Sequence, residues 1–77
     1  KSAGNVSLFA FDEGQKLSEH TAPFDAMIQV TEGEAEIVIG GLVNHLAEGQ
    51  TIIMPANIPH SVKAITRFKM VLTMIKA

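Results

Sequence analysis

Three histidines, His20, His45 and His60, are the side chains here best suited to proton or metal chemistry near neutral pH. The 77-residue chain has no cysteine to act as a competing ligand or nucleophile. Two of the histidines sit in matching layouts: Gly14 is followed by five residues and then His20, and Gly49 by five residues and then Pro55, with His60 five further on. Two imidazoles alone do not make a metal centre. Catalytic zinc takes three protein ligands and a water, and non-haem iron takes two histidines and a carboxylate on one face. Asp25 is the nearest carboxylate that could complete such a set. Strand alternation aims it away from the face of Ala26, but its place just after Pro23 allows a bulge or loop to redirect it. The rival arrangement leaves both imidazoles neutral, paired with each other, with a water or with a backbone carbonyl. His45, between Asn44 and Leu46, is expected to face solvent or an interface. Of Ser2, Ser7, Ser18 and Ser61, only Ser61 adjoins a histidine, and strand neighbours face opposite ways. No glycine-rich loop opens a helix, so nucleotide binding by that route has no support.

The elements that must position these residues read as strands. No window carries apolar residues at helical spacing behind a start cap. Alternating or β-branched runs cover Val6–Phe11, Ala26–Thr31, Glu34–Ile39, Leu42–Leu46, Thr51–Met54, His60–Thr66 and Phe68–Ile75. Gly40-Gly41 predicts a two-residue hairpin, because glycine takes positive φ at both central positions without strain. Glu32-Gly33-Glu34 predicts a second tight turn, and the acidic run 32–36 reads as a solvated hairpin that discourages edge-to-edge pairing. In the last strand Phe68, Met70, Leu72 and Met74 form one wholly apolar face, and methionines there could line an adaptable pocket. Turn signals every ~8–10 residues predict one all-β domain over residues 1–77, a sandwich or barrel.

Composition limits the partners. Net charge is −2, with 6 Lys and Arg against 8 Asp and Glu, and only 18% of residues are charged. A phosphate-binding protein needs a basic stripe, so nucleic acid is excluded as a main partner. No run approaches the ~20 apolar residues of a membrane helix, and no basic segment leads into an apolar one. A cytoplasmic protein without membrane contact is expected. A chain of this size buries roughly 60% of its unfolded surface, so a partner subunit, a metal or an efficient core is needed. The first residue is Lys rather than Met, leaving open that an earlier strand completes the barrel.

The stretches GQKLSEHTAPFDAMIQVTEG (Gly14–Gly33) and GQTIIMPANIPHSVKA (Gly49–Ala64) resemble the two signature motifs of the cupin superfamily. The first family motif reads G-x5-H-x-H-x(3,4)-E-x6-G, and Gly14, His20 and Gly33 match it. The second reads G-x5-P-x-G-x2-H-x3-N, and Gly49, Pro55 and His60 match it. The resemblance runs from about Val6 to Ile75. It implies an antiparallel jelly-roll β-barrel (a double-stranded β-helix), a homodimer formed by strand sharing or sheet packing, and a centre of three histidines and one glutamate holding a divalent transition metal such as Fe, Mn, Ni or Zn. The departures fall on that centre. Ala22 stands at the second histidine, Ala26 at the glutamate, Asn57 at the second-motif glycine and Ala64 at the closing asparagine.

Alternation then places Ala22, Ala26, Ile28 and Val30 inward with His20, and Val62 and Ala64 inward with His60. The expected site is an apolar cavity with two imidazoles at one end, lined by His20, His60, Ala22, Ala26, Ile28, Met54, Val62 and Met70, with Phe24 and Met74 as further walls. Two ligand-binding functions fit it, beside a metal-free structural or interaction role in which the cavity is only a packed core. One is a small-molecule-binding cupin whose His20/His60 pair holds at most a weak metal. The other is a metal-dependent enzyme of dioxygenase or isomerase type, its reduced site completed by Asp25 or water.

Overall fold

The computed structural model describes residues 4–75. They form eight strands: β1 (Gly4–Phe11), β2 (Lys16–His20), β3 (Asp25–Glu32), β4 (Glu34–Ile39), β5 (Leu42–Ala47), β6 (Thr51–Met54), β7 (His60–Ala64) and β8 (Phe68–Ile75). Two antiparallel sheets run in the orders β1-β8-β3-β6 and β2-β7-β4-β5. Eight strands shared between two facing sheets, with only the β4–β5 hairpin staying within one sheet, make a jelly roll, as expected. Among the described residues no helix is long and apolar enough to cross a membrane.

The core follows from alternation. In the first sheet the rows Asn5–Met74–Ala26–Met54 and Ser7–Leu72–Ile28–Ile52 are in register and face inward. In the second, Leu17–Val62–Ile37 and Ala64–Ala35–Leu46 do the same. Phe68, Ile28, Ile37, Met70 and Val30 are the largest fully buried side chains. Phe11 stacks on Phe68 at 5.2 Å between ring centroids and closes the end remote from the histidines.

Gly40 and Gly41 have φ of 56° and 82° and close the β4–β5 hairpin at the Ile39–Leu42 pair. The acidic turn differs from expectation. β3 and β4 lie in different sheets, so Glu32-Gly33-Glu34 carries the chain from one layer to the other and is not a hairpin. Local glycine chemistry is the same for both uses, and only the partner of each strand tells them apart. The crossing is clamped: Glu34 N–H donates to Thr66 Oγ1 at 3.0 Å, and Ile65 N–H to the Glu34 carbonyl at 3.0 Å. That clamp ends β7 at Ala64, two residues short of the expected Thr66. β2 is an additional strand, absent from the pattern reading because only Leu17 of its five residues is even half-buried.

Candidate functional site

His20 reaches the interior through a β-bulge. Leu17 faces inward opposite Val62, and strict alternation would turn His20, three residues on, outward. The register instead shifts between Leu17 and His20, so that His20 lies opposite His60. Ser18 and Glu19 together span the space opposite Ser61, and the extra residue restores the inward direction. The bulge also supplies a hydrogen bond: His20 Nδ1–H donates to the Ser18 carbonyl at 2.7 Å. His60 opens β7 and repeats the arrangement, with Nδ1–H donating to the carbonyl of Ile58 at 3.2 Å. Asn57 shapes the preceding loop. It adopts φ 64°, a left-handed conformation that asparagine tolerates better than most residues, and its N–H donates to the Ala22 carbonyl at 2.7 Å.

The two Nε2 atoms then face each other at 3.2 Å, with the rings edge to face. A carbonyl oxygen only accepts, so both rings carry their hydrogen on Nδ1. Two neutral rings in that state would oppose lone pair to lone pair. A third particle between them relieves this: a proton, giving an imidazolium–imidazole pair, or a metal ion. Burial pushes the His60 imidazole below its ordinary value of 6.5, and charge on His20 adds to the lowering, while the Ile58 carbonyl works against it. His60 is 5% exposed, and that burial favours its neutral form.

A cavity of about 60 Å³ opens from this pair into the sandwich, lined by Leu17, His20, Ala22, Ala26, Ile28, Met54, His60, Val62, Met70, Leu72 and Met74. All eight expected pocket residues lie on its wall, as does Met74. Phe24 does not line it. Leu17 and Leu72 were not expected. Leu72 shares the inward face already read from β8, whereas Leu17 belongs to the strand the pattern missed. The volume holds a few waters or a very small ligand and is well below a drug-sized pocket.

Asp25 stands outside this site, contrary to the expectation that it could complete it. Asp25 Oδ1 accepts the Ala56 N–H at 2.8 Å and pins the loop before β7. No bulge intervenes between Asp25 and Ala26, so the carboxylate keeps to the outer face. His45 also faces outward, 3.5 Å from Glu34.

The sequence matches the Cupin_2 family, described as a cupin domain, over residues 7–76. The chain belongs to the cupin family. Among solved structures, this cupin is similar to the conserved protein SPY1581 of unknown function from Streptococcus pyogenes, with 40% identity, a TM-score of 0.94, and coverage of 100% of this chain and 68% of that one. It is also similar to a cupin superfamily protein from Desulfitobacterium hafniense, with 26% identity, a TM-score of 0.93, and coverage of 100% and 71%. Salicylate 1,2-dioxygenase from Pseudoaminobacter salicylatoxidans shares the fold at 20% identity and a TM-score of 0.91, over 95% of this chain and 21% of the dioxygenase chain. No curated protein matches.

The family's three-histidine, one-glutamate centre can now be tested against the residues present. Two nitrogens each about 2.1 Å from one metal and 3.2 Å from each other subtend roughly 100° at it, so the imidazole pair suits adjacent positions on a single ion. The rest of the set does not fit. Alanines occupy the other two positions, and among the described residues no three His, Cys, Asp or Glu side chains come together. The pair is half of a divalent centre without the carboxylate that would offset its charge.

Proposed function

We propose that this cupin is a binding module that holds a small molecule or ion in the His20/His60 cavity, with the divalent metal of the wider family at most weakly bound. The observation that carries this reading is the Nε2–Nε2 contact of 3.2 Å at the mouth of an otherwise apolar cavity. It brings two ring nitrogens to one point beside the open volume, where a proton or an ion can be shared between them. Enzymatic turnover through a divalent metal has weaker support, because Asp25 is committed to Ala56 and supplies no third ligand.

Native mass spectrometry with elemental analysis tests the proposal on purified protein. The expected result is less than one divalent ion per chain, and a small bound species that is lost in His20→Ala. One tightly held Fe, Mn, Ni or Zn per chain, retained through dialysis, would overturn it.

A homodimer is also proposed. It is supported by the exposed apolar outer face of the β1-β8-β3-β6 sheet, where Val6, Leu8 and Ile53 stand in solvent.

A further inference from the structure

The cavity holds a second set of donors. The row Met54–Ala26–Met74 crosses β6, β3 and β8 in register, and both methionines line the same cavity as the imidazole pair. Met70, one inward position along β8 from Leu72, lines it too. Three of the chain's four methionines therefore border one small space. The row is centred on Ala26, where the family's centre has its glutamate. The hard, charged oxygen ligand is gone, and the residues flanking its position carry soft, neutral thioethers.

We propose that this site binds Cu(I), held by His20 and His60 Nε2 with thioether sulfur from Met54 or Met74. The inference rests on the reading of the cavity as the place where the chain binds its ligand, and it names the class of that ligand.

Three arguments converge on it. Thioether sulfur selects Cu(I) among biological first-row metals, whereas Fe, Mn and Zn favour sites with carboxylate, imidazole or thiolate. Charge points the same way. The lining has no carboxylate, and the cost of placing an ion in an apolar medium rises with the square of its charge. A monovalent ion is therefore the transition-metal guest that neutral donors accommodate best. Size agrees as well, since the cavity admits an ion with few or no waters. Cu(I) is stable with two or three ligands, while a divalent ion here would need water to complete its shell.

The test is anaerobic titration with Cu(I) against the chromophoric chelator bicinchoninate, with Zn(II) titrated in parallel, and X-ray absorption on the Cu(I)-loaded protein. Expected are one Cu(I) per chain, sulfur and imidazole nitrogen both seen as scatterers, and tighter binding of Cu(I) than of Zn(II). The double variant Met54→Leu/Met74→Leu is close in volume to the native pair. It should weaken Cu(I) by at least about 10-fold and leave Zn(II) unchanged, while His20→Ala should weaken both.

Nitrogen-only scattering, or Cu(I) affinity unmoved by the double variant, overturns the inference. The absorption spectrum needs no variant, so a misfolded mutant does not block the test. Failure of the underlying reading looks different: neither ion shifts the imidazole NMR signals of His20 and His60, and no bound species depends on His20. If Zn(II) or an organic species moves those signals and Cu(I) binds no more tightly than Zn(II), the binding cavity stands and the copper assignment falls.

Discussion

At the scale of single residues, function and stability meet in His60. Its lowered pKa means that, in the interval below 6.5, the unfolded chain takes up a proton that the folded ring refuses. Its contribution is therefore complete above 6.5, diminishes as pH falls below that value, and levels off once the folded ring titrates too. The metal-free protein should melt at a lower temperature near pH 5.5 than near pH 7.5, and His60→Gln should flatten that dependence. Comparing variant with wild type cancels the titration of groups elsewhere, and equal slopes would refute the assignment. Asp25 makes a different prediction, because its visible role is to accept the Ala56 N–H. Asp25→Ala should cost about 1 kcal/mol in urea unfolding, Asp25→Asn much less, and neither should alter metal affinity. A metal ligand at this position would reverse the last outcome. The sequence held much of this site. The motif spacing marked His20 and His60, and alternation brought Ala26, Ile28, Val62 and Met70 to the same wall. It could not assign Asp25, because whether a bulge follows Pro23 is decided by the pairing of β3 with β8.

At the scale of elements, glycine and the β2 bulge do the positioning. Gly33 carries the crossing between layers with φ 80°, and a Cβ there would collide with the Arg67 carbonyl oxygen and press on Thr66. Gly14 has a similar φ of 86° but open space around it. Gly14→Ala therefore measures the cost of a left-handed alanine alone, about 1 kcal/mol. Gly33→Ala adds a clash with backbone that cannot swing aside, and its loss should exceed that of Gly14→Ala by at least about 2 kcal/mol. Equal losses by chemical denaturation would show that the crossing is more pliable than its geometry. The same crossing explains the misread hairpin, since a short acidic turn around glycine suits a link within a sheet or between sheets. β2 was hidden for another reason. Lys16-Leu17-Ser18-Glu19-His20 lies at a sheet edge with most side chains in solvent, so it lacks the apolar alternation that reveals a strand. Its one irregularity, the extra residue at Ser18–Glu19, turns His20 inward. Deleting Glu19 should remove the bulge yet leave the histidine two residues from Leu17, still inward and opposite His60, so the contact between the two rings should survive with little change in the histidine NMR signals; loss of that contact would show that the extra residue is needed to turn the ring inward.

At the scale of the whole molecule, the outer face of the first sheet is the largest unsatisfied feature. The row Val6–Thr73–Met27–Ile53 crosses all four strands without a charge, and Leu8–Val71–Gln29–Thr51 runs beside it. Val6 is 68% exposed, Leu8 80%, Ile53 49% and Ile75 53%. A contiguous patch of this kind is a candidate interaction site, and the proposed occupant is a second copy of the chain. Lys69 stands at one end of the face and Asp25 at the other, on adjacent strands. In the proposed dimer a two-fold axis brings the uncharged rows of the two copies together in the middle, the self-complementary arrangement of an isologous dimer, while Lys69 keeps its ion pair with Glu32 and Asp25 its bond to Ala56. Leu8 has the highest exposure of the large apolar residues and no part in the core, so Leu8→Glu should leave the monomer fold intact. By sedimentation equilibrium the wild type should be dimeric at micromolar concentration and Leu8→Glu monomeric, and the wild-type melting temperature should rise with protein concentration while that of the variant does not. A wild type that sediments as a monomer with a concentration-independent melt would leave the first sheet's outer face without the partner assigned to it.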